Sequence, residues 1–135
     1  AIDRILEEEK ITDIKSSLRF PGYIANTDLA ALYSGAFAFL DPSLRESFGI
    51  PMLEAMACGT PIITGNTSAM PEIAGKGALL VDPYHPEEIT EKILQLENDN
   101  QFYQQQVEYG LERSKLFSWK NSAEALLKIY KGLTR

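Results

Sequence analysis

Residues Asp41 to Thr64 read DPSLRESFGIPMLEAMACGTPIIT, and the order of elements they dictate organises the chain on either side. The stretch begins where an apolar run, Ala36 to Leu40, is ending; such a run bounded by turn residues reads as a buried strand. A helix is predicted from Pro51 to Cys58. Proline at the first helical position gives up a donor that would have no partner there, Gly59 suits the left-handed position past the end, and Pro61 forbids continuation. Pro61 to Thr64 then reads as a second apolar strand, so strand, loop, helix and strand predict a parallel crossover unit and an α/β domain. Ligands of such sheets bind beyond the carboxyl ends of the strands, where the loop from Pro42 to Ile50 lies.

The chemistry of that loop points to a ligand. Backbone amides at the helix start, around Gly49 to Leu53, face it with the positive end of the helix dipole behind them, and Gly49 lets a phosphate approach the backbone closely. Glu46 precedes the helix and Glu54 lies within its first turn and a half. A carboxylate accepts two hydrogen bonds at once, which suits paired sugar hydroxyls and repels phosphate. Gly49 to Leu53 is therefore the expected phosphate end, with Glu46 and Glu54 as hydroxyl acceptors on either side.

Composition narrows the alternatives. The 135 residues provide for one domain with a hydrophobic core, and 44% apolar residues are ordinary for a globular protein. A net charge of −6 argues against a nucleic-acid surface but allows one small nucleotide met by backbone amides. The single cysteine, Cys58, has no internal disulfide partner, and no signal-like or membrane-length apolar run occurs, which together favour a cytoplasmic setting. No cysteine and histidine spacing suits a metal, and none is expected.

Along the chain, Ala1 to Thr12 carries Ile2, Ile5, Leu6 and Ile11 at helical spacing, with the EEEK run as its solvated face. Asp13 to Ser17 reads as a connector and Leu18 to Phe20 as a short strand ended by Pro21 and Gly22. Asn26 or Thr27 is expected to cap a helix that Gly35 ends. After Thr64, the turn-rich GNTSAMPEIAGKG holds one helical turn, Met70 to Ala74, and Ala78 to Val81 is the last strand. Pro86, with Glu87 and Glu88 in the first turn, opens a helix striped by Ile89, Ile93, Leu94 and Leu96. Phe102 to Lys115 and Ser118 to Leu133 are two further helices, the last presenting Ala123, Leu126, Leu127 and Tyr130.

Glu46 and Glu54 are separated by seven residues within PSLRESFGIPMLEAMACGTPII, and this run resembles the E-x7-E signature of retaining glycosyltransferases of GT-B architecture, in particular glycosyltransferase group 1, also called family four. FPGYI, LAALYSGAFAFLDPS, MPEIAGKGALLVDP and a late FSW are similar to that family's pattern in the same order, so the resemblance spans nearly the whole chain. It implies a Rossmann-like parallel sheet with flanking helices, residues 1–135 forming a single domain that binds a nucleoside-diphosphate sugar. It further implies that Glu46, as the catalytic residue, contacts hydroxyls of the donor sugar, that Phe48, Gly49 and Ile50 offer amides to the sugar or its diphosphate, that Leu53 lines the floor, and that Glu54 holds the ribose. Tyr23 and Ile24 correspond to the place where such enzymes hold the base. Thr64 and Asn66 are further candidates in a segment that closes the donor site. Configuration is retained in that family and no metal is needed, the leaving diphosphate taking the acceptor's proton.

The resemblance also implies partners. A domain of this kind normally opens with two strands and a helix bearing a Gly-rich turn and an Arg and Lys pair, and it works against an amino-terminal domain. Neither is found in this sequence, so the isolated chain is expected to be inactive or weakly active, with Leu18 to Phe20 either joining the next strand or leaving edges for another chain, possible self-association included. Peripheral membrane association would come only through the full-length enzyme, acting in polysaccharide biosynthesis on a glycan or lipid acceptor. The last helix is expected to leave apolar surface exposed.

Plainer readings stand beside these. Glu46 and Glu54 also suit a helix start as solvated acids. Phe48 fits the core, Cys58 reads as a small buried apolar residue, His85 as a helix cap, Arg45 and Lys76 as surface charges or phosphate neighbours, and Tyr103, Tyr109 and Tyr130 as packing. The rival functions are a non-catalytic nucleotide or sugar-binding or interaction module, a signalling domain disfavoured for want of an acidic cluster after a first strand, and glycoside hydrolysis, disfavoured because nothing raises the pKa of a helix-borne Glu54.

Overall fold

The computed structural model describes residues 14–133. The helix expected over Ala1 to Thr12 lies outside them. A 3-10 turn, Lys15–Ser17, leads to α1 (Asn26–Gly35), β1 (Phe39–Asp41), α2 (Ile50–Ala57), β2 (Ile62–Gly65), α3 (Met70–Ala74), β3 (Leu79–Val81), α4 (Pro86–Asn98), α5 (Asn100–Ser114) and α6 (Trp119–Leu133). The sheet is parallel throughout in the order β1-β2-β3, with Asp41 beside Thr64 and Gly65 beside Val81. Helices flank it, so the fold is the Rossmann-like α/β arrangement expected.

The central strand explains the two layers. All four residues of β2 are buried, and successive side chains leave opposite faces, so Ile62 and Ile63 enter separate apolar layers while the buried Thr64 hydroxyl is satisfied by Asp41 O. Ile62 joins Met52, Ala55 and Met56 of α2 and Met70, Ile73 and Ala74 of α3 on one face. Ile63 joins Val81 and Leu96 on the other, packed by Ile89, Phe102 and Tyr103. Gly110 of α5 lies against Met56, where an added Cβ would come within 3.4 Å of its Cγ, so α5 approaches α2 closely. Arg113 of α5 donates from Nε to Ile73 O at 2.8 Å and from Nη2 to Glu72 O, closing the last carbonyls of α3.

Five expectations are corrected. Leu18 to Phe20 forms no strand; a strand exists through its ladder, this segment finds no partner, and Phe20 is 67% exposed. Neither Asn26 nor Thr27 caps α1: Ala25 holds the cap position without a side-chain bond, and Thr27 Oγ1 donates to Asp28 instead. His85 holds the cap position of α4, but its Nδ1 pairs with Asp82 Oδ2 at 3.1 Å, while Glu88 reaches back to accept the Asp82 amide at 2.8 Å. In α4, Leu94 faces out and Leu96 is buried, because the inward stripe runs through Ile89 and Leu96. Cys58 is half-buried rather than buried. No residue of α6 is buried, and Leu126, Leu127, Ile129, Tyr130 and Leu133 all stand exposed.

Candidate functional site

The loop between β1 and α2 is fastened from its far side. Thr67 Oγ1 donates to Ser43 O at 3.2 Å and Leu44 O at 3.1 Å, and Ser68 Oγ donates to Glu46 O at 2.6 Å. Gly65 lies so close beneath that an added Cβ would stand 2.8 Å from Ser43 O. At the other end of the loop, Gly49 caps α2 with φ 85°, in the left-handed region that favours glycine, and a Cβ there would meet Met70 Cε at 2.7 Å. Glycine is thus favoured at position 49 by its backbone angle, while the flexible end of Met70 would have to shift for a larger residue.

Glu46 folds back onto its own loop. Its Oε1 accepts from the Ser47 amide at 2.7 Å, the Phe48 amide at 3.3 Å and the Ser47 hydroxyl at 3.3 Å. The amides of Ser47, first, and Phe48 hold its carboxyl below the ordinary carboxylate value. The Phe48 amide is therefore turned onto a carboxylate, and the Leu53 amide onto Gly49 O at 3.4 Å. Pro51 has no amide, which leaves Ile50 and Met52 as the first-turn donors of α2 without a partner one turn back.

Glu54 is placed by contacts distant in sequence. Its Oε2 accepts from Tyr33 Oη of α1 at 3.2 Å. Burial, then the Glu54 charge, pushes the Tyr33 phenol above its ordinary value. Tyr33 is itself fixed, since its carbonyl accepts from Thr60 Oγ1 at 2.6 Å and its ring meets Phe39 edge-on at 5.8 Å. Phe48, Ile50, Leu53 and Glu54 line an open groove of about 500 Å³ whose opposite wall is the α5 to α6 junction, with Phe117 and Trp119. Phe48 is 41% exposed and meets Phe117 edge-on at 6.0 Å, so it forms groove wall rather than core.

The remaining candidates separate from this group. Tyr23 is 89% exposed and Ile24 half-buried, just ahead of α1 and at the opposite end of that helix from Tyr33. Thr64 is fully buried and donates to Asp41 O at 2.8 Å, so its hydroxyl ties β2 to β1 rather than meeting a ligand. Asn66 is exposed and ties the chain to Val81 O through its amide. Arg45 is exposed in the loop, and Lys76 is exposed beyond the carboxyl end of α3. Among the described residues, no three His, Cys, Asp or Glu side chains gather to hold a metal. Sequence reasoning missed Tyr33, whose place on a helix gave no sign of its bond to Glu54, and Ser68, which carried no signal at all.

Residues 3–113 match the family described as glycosyl transferases group 1. O-antigen chain mannosyltransferase B of Escherichia coli is 38% identical over 114 residues, covering 84% of this chain and 30% of that protein. A D-inositol 3-phosphate glycosyltransferase of Corynebacterium jeikeium is 36% identical over 132 residues, covering 96% of this chain and 31% of its own length. The chain thus spans about a third of the length of these relatives. Sucrose-phosphate synthase from Thermosynechococcus elongatus superposes with a TM-score of 0.83 at 30% identity, over 98% of this chain and 33% of that one. The C-terminal domain of a glycosyl transferase group 1 family protein from Francisella tularensis does so with a TM-score of 0.72 at 26% identity, over 85% and 61%. With its two glutamates framing the start of α2 on a parallel sheet, the chain belongs to the glycosyl transferases group 1 family.

Proposed function

We propose that this chain is the donor-binding half of a retaining glycosyltransferase, which moves a sugar from a nucleoside-diphosphate sugar to a glycan or lipid acceptor in the cytoplasm. The observation that carries the reading is the pair of oriented carboxylates: Glu46, gathered by loop amides, before α2, and Glu54, held by Tyr33, within it. Hydroxyl-rich ligands suit such groups, because each carboxylate keeps lone pairs for paired hydroxyls. Glu54 accepts the ribose hydroxyls, and the first-turn amide of the exposed Ile50 meets the diphosphate. Glu46 accepts from the donor sugar, and Tyr23 with Ile24 flanks the base.

In the transfer, the bond from the anomeric carbon to the diphosphate oxygen breaks. A bond to the acceptor oxygen forms on the same face, and the acceptor's proton passes to the departing diphosphate. Helix-terminal amides stabilise the charge that develops there. The catalytic task of Glu46 is to fix the ring while the leaving group departs. The exposed apolar face of α6 is assigned to contact with the remainder of the enzyme, which supplies the acceptor side.

The test is an amide NMR titration of the 135-residue chain with UDP, GDP and ADP, then with UDP-glucose, GDP-mannose and ADP-glucose. The expected result is that one nucleotide shifts the amides of Gly49 to Glu54 and residues near Tyr23. Binding that shifts other residues, or no binding by any of the six, overturns the assignment of this site.

A further inference from the structure

We propose that Ser68 is a positioning residue that sets Glu46 for the donor sugar; the proposal rests on the role given to Glu46 above. Among the described residues, Ser68 is the one non-glycine with positive φ, at 58°. Residues with a Cβ disfavour that region, and such a conformation persists where the surroundings over-determine it. Here they do so through Glu46. The Ser68 hydroxyl donates to Glu46 O at 2.6 Å and accepts from Glu46 N at 3.3 Å, so a single oxygen bridges both backbone polar atoms of that residue. The Ala69 amide adds a longer bond to Glu46 O at 3.4 Å, and the hydroxyl of the preceding Thr67 holds Ser43 and Leu44.

Fixing the peptide groups on either side of Glu46 fixes the direction of its Cα–Cβ bond. The amides of Ser47 and Phe48 then hold the carboxylate through Oε1, and the Gly49 amide adds a smaller pull on the ionised form. The result is a carboxylate aimed by successive amides of its own loop. Glycine would adopt φ 58° without strain, so what serine brings to this position is its hydroxyl. The strained turn after β2 is thereby coupled to the orientation of a side chain 22 residues earlier.

The experiment uses Ser68→Gly and Ser68→Ala in the 135-residue chain, with Ser68→Asn as the conservative variant, since asparagine tolerates positive φ and keeps both donor and acceptor. Calorimetry with UDP and UDP-glucose, and with GDP and GDP-mannose, separates the nucleotide from the sugar. The expected result is that both non-polar variants weaken the sugar conjugate by about 10-fold, as Glu46→Ala does, and leave the nucleotide alone within about 2-fold, with Ser68→Asn in between. Amide exchange at Ser47 and Phe48 should rise by about 10-fold while Ala55 and Met56 in α2 stay protected. Equal losses for nucleotide and conjugate would make Ser68 a general structural residue and overturn the proposal, as would unchanged exchange at Ser47 and Phe48 with nucleotide binding intact. Failure of the unaltered chain to bind any nucleotide or conjugate removes the role of Glu46 and the inference with it.

Discussion

Glu46 and Glu54 lie eight positions apart in sequence, yet the chain builds them in opposite ways. Glu46 is gripped by its immediate neighbours, the amides of Ser47 and Phe48, with Ser68 bracing its backbone. Glu54 projects from a regular helix whose backbone is satisfied internally, and its direction is set by one phenol from α1. A carboxylate in a loop needs its backbone fixed before its side chain can be. One on a helix needs only a single lateral contact, because the helix has already fixed its Cβ.

The largest expected effect tests the division of labour between them. Glu54→Ala should weaken the nucleoside diphosphate by roughly 10- to 100-fold, the scale of a lost hydrogen bond to a charged group. Glu46→Ala should leave the bare nucleotide within about 2-fold and weaken only the sugar conjugate, and calorimetry with GDP and GDP-mannose reads both. Identical profiles for the two variants would dissolve the distinction. Next in size is Gly49→Ala, which places a Cβ at φ 85° beside Met70 and should lower stability by about 1–3 kcal/mol in urea unfolding. Its burden falls on the junction the two carboxylates share, so both ligand responses should decline together.

Tyr33→Phe removes one neutral donor and should weaken nucleotide binding by only about 2- to 5-fold, leaving the response attributed to Glu46 unchanged. Smallest is the effect of pH on Glu46. Its folded-state pKa lies below the ordinary 4.5, so its contribution to stability is present above that value and disappears as pH falls through the lowered one. The difference in urea midpoint between the unaltered chain and Glu46→Gln should therefore be larger at pH 7 than at the acid end and should shrink there. A constant difference would mean that the loop amides do not favour the ionised form.

The same contrast explains what the sequence could disclose. Local punctuation was legible: Pro51 falls in the first turn of α2, one position later than read, Gly59 and Pro61 follow its end as read, and Glu46 precedes the helix while Glu54 lies within it. The parallel order of β1 and β2 followed from the strand, loop, helix and strand succession between Ala36 and Thr64. Contacts between distant segments were not legible. The bond from Tyr33 to Glu54 spans 21 residues, and Tyr33 looks like any other apolar position on α1. The positive φ of Ser68 has no glycine or asparagine to announce it. Leu18 to Phe20 had the composition of a strand, but a strand requires a neighbour, and composition cannot supply one.

The wall of the groove opposite Glu54 has an optical consequence. Trp119 is the sole tryptophan in the sequence, it is 86% exposed, and it lines the same space as Ile50, Leu53 and Glu54. Its indole emission therefore comes from a single known place, beside the first turns of α2. Any molecule or segment that enters the groove and displaces water from that ring should shift the emission toward the blue, so occupancy can be followed without attaching a label.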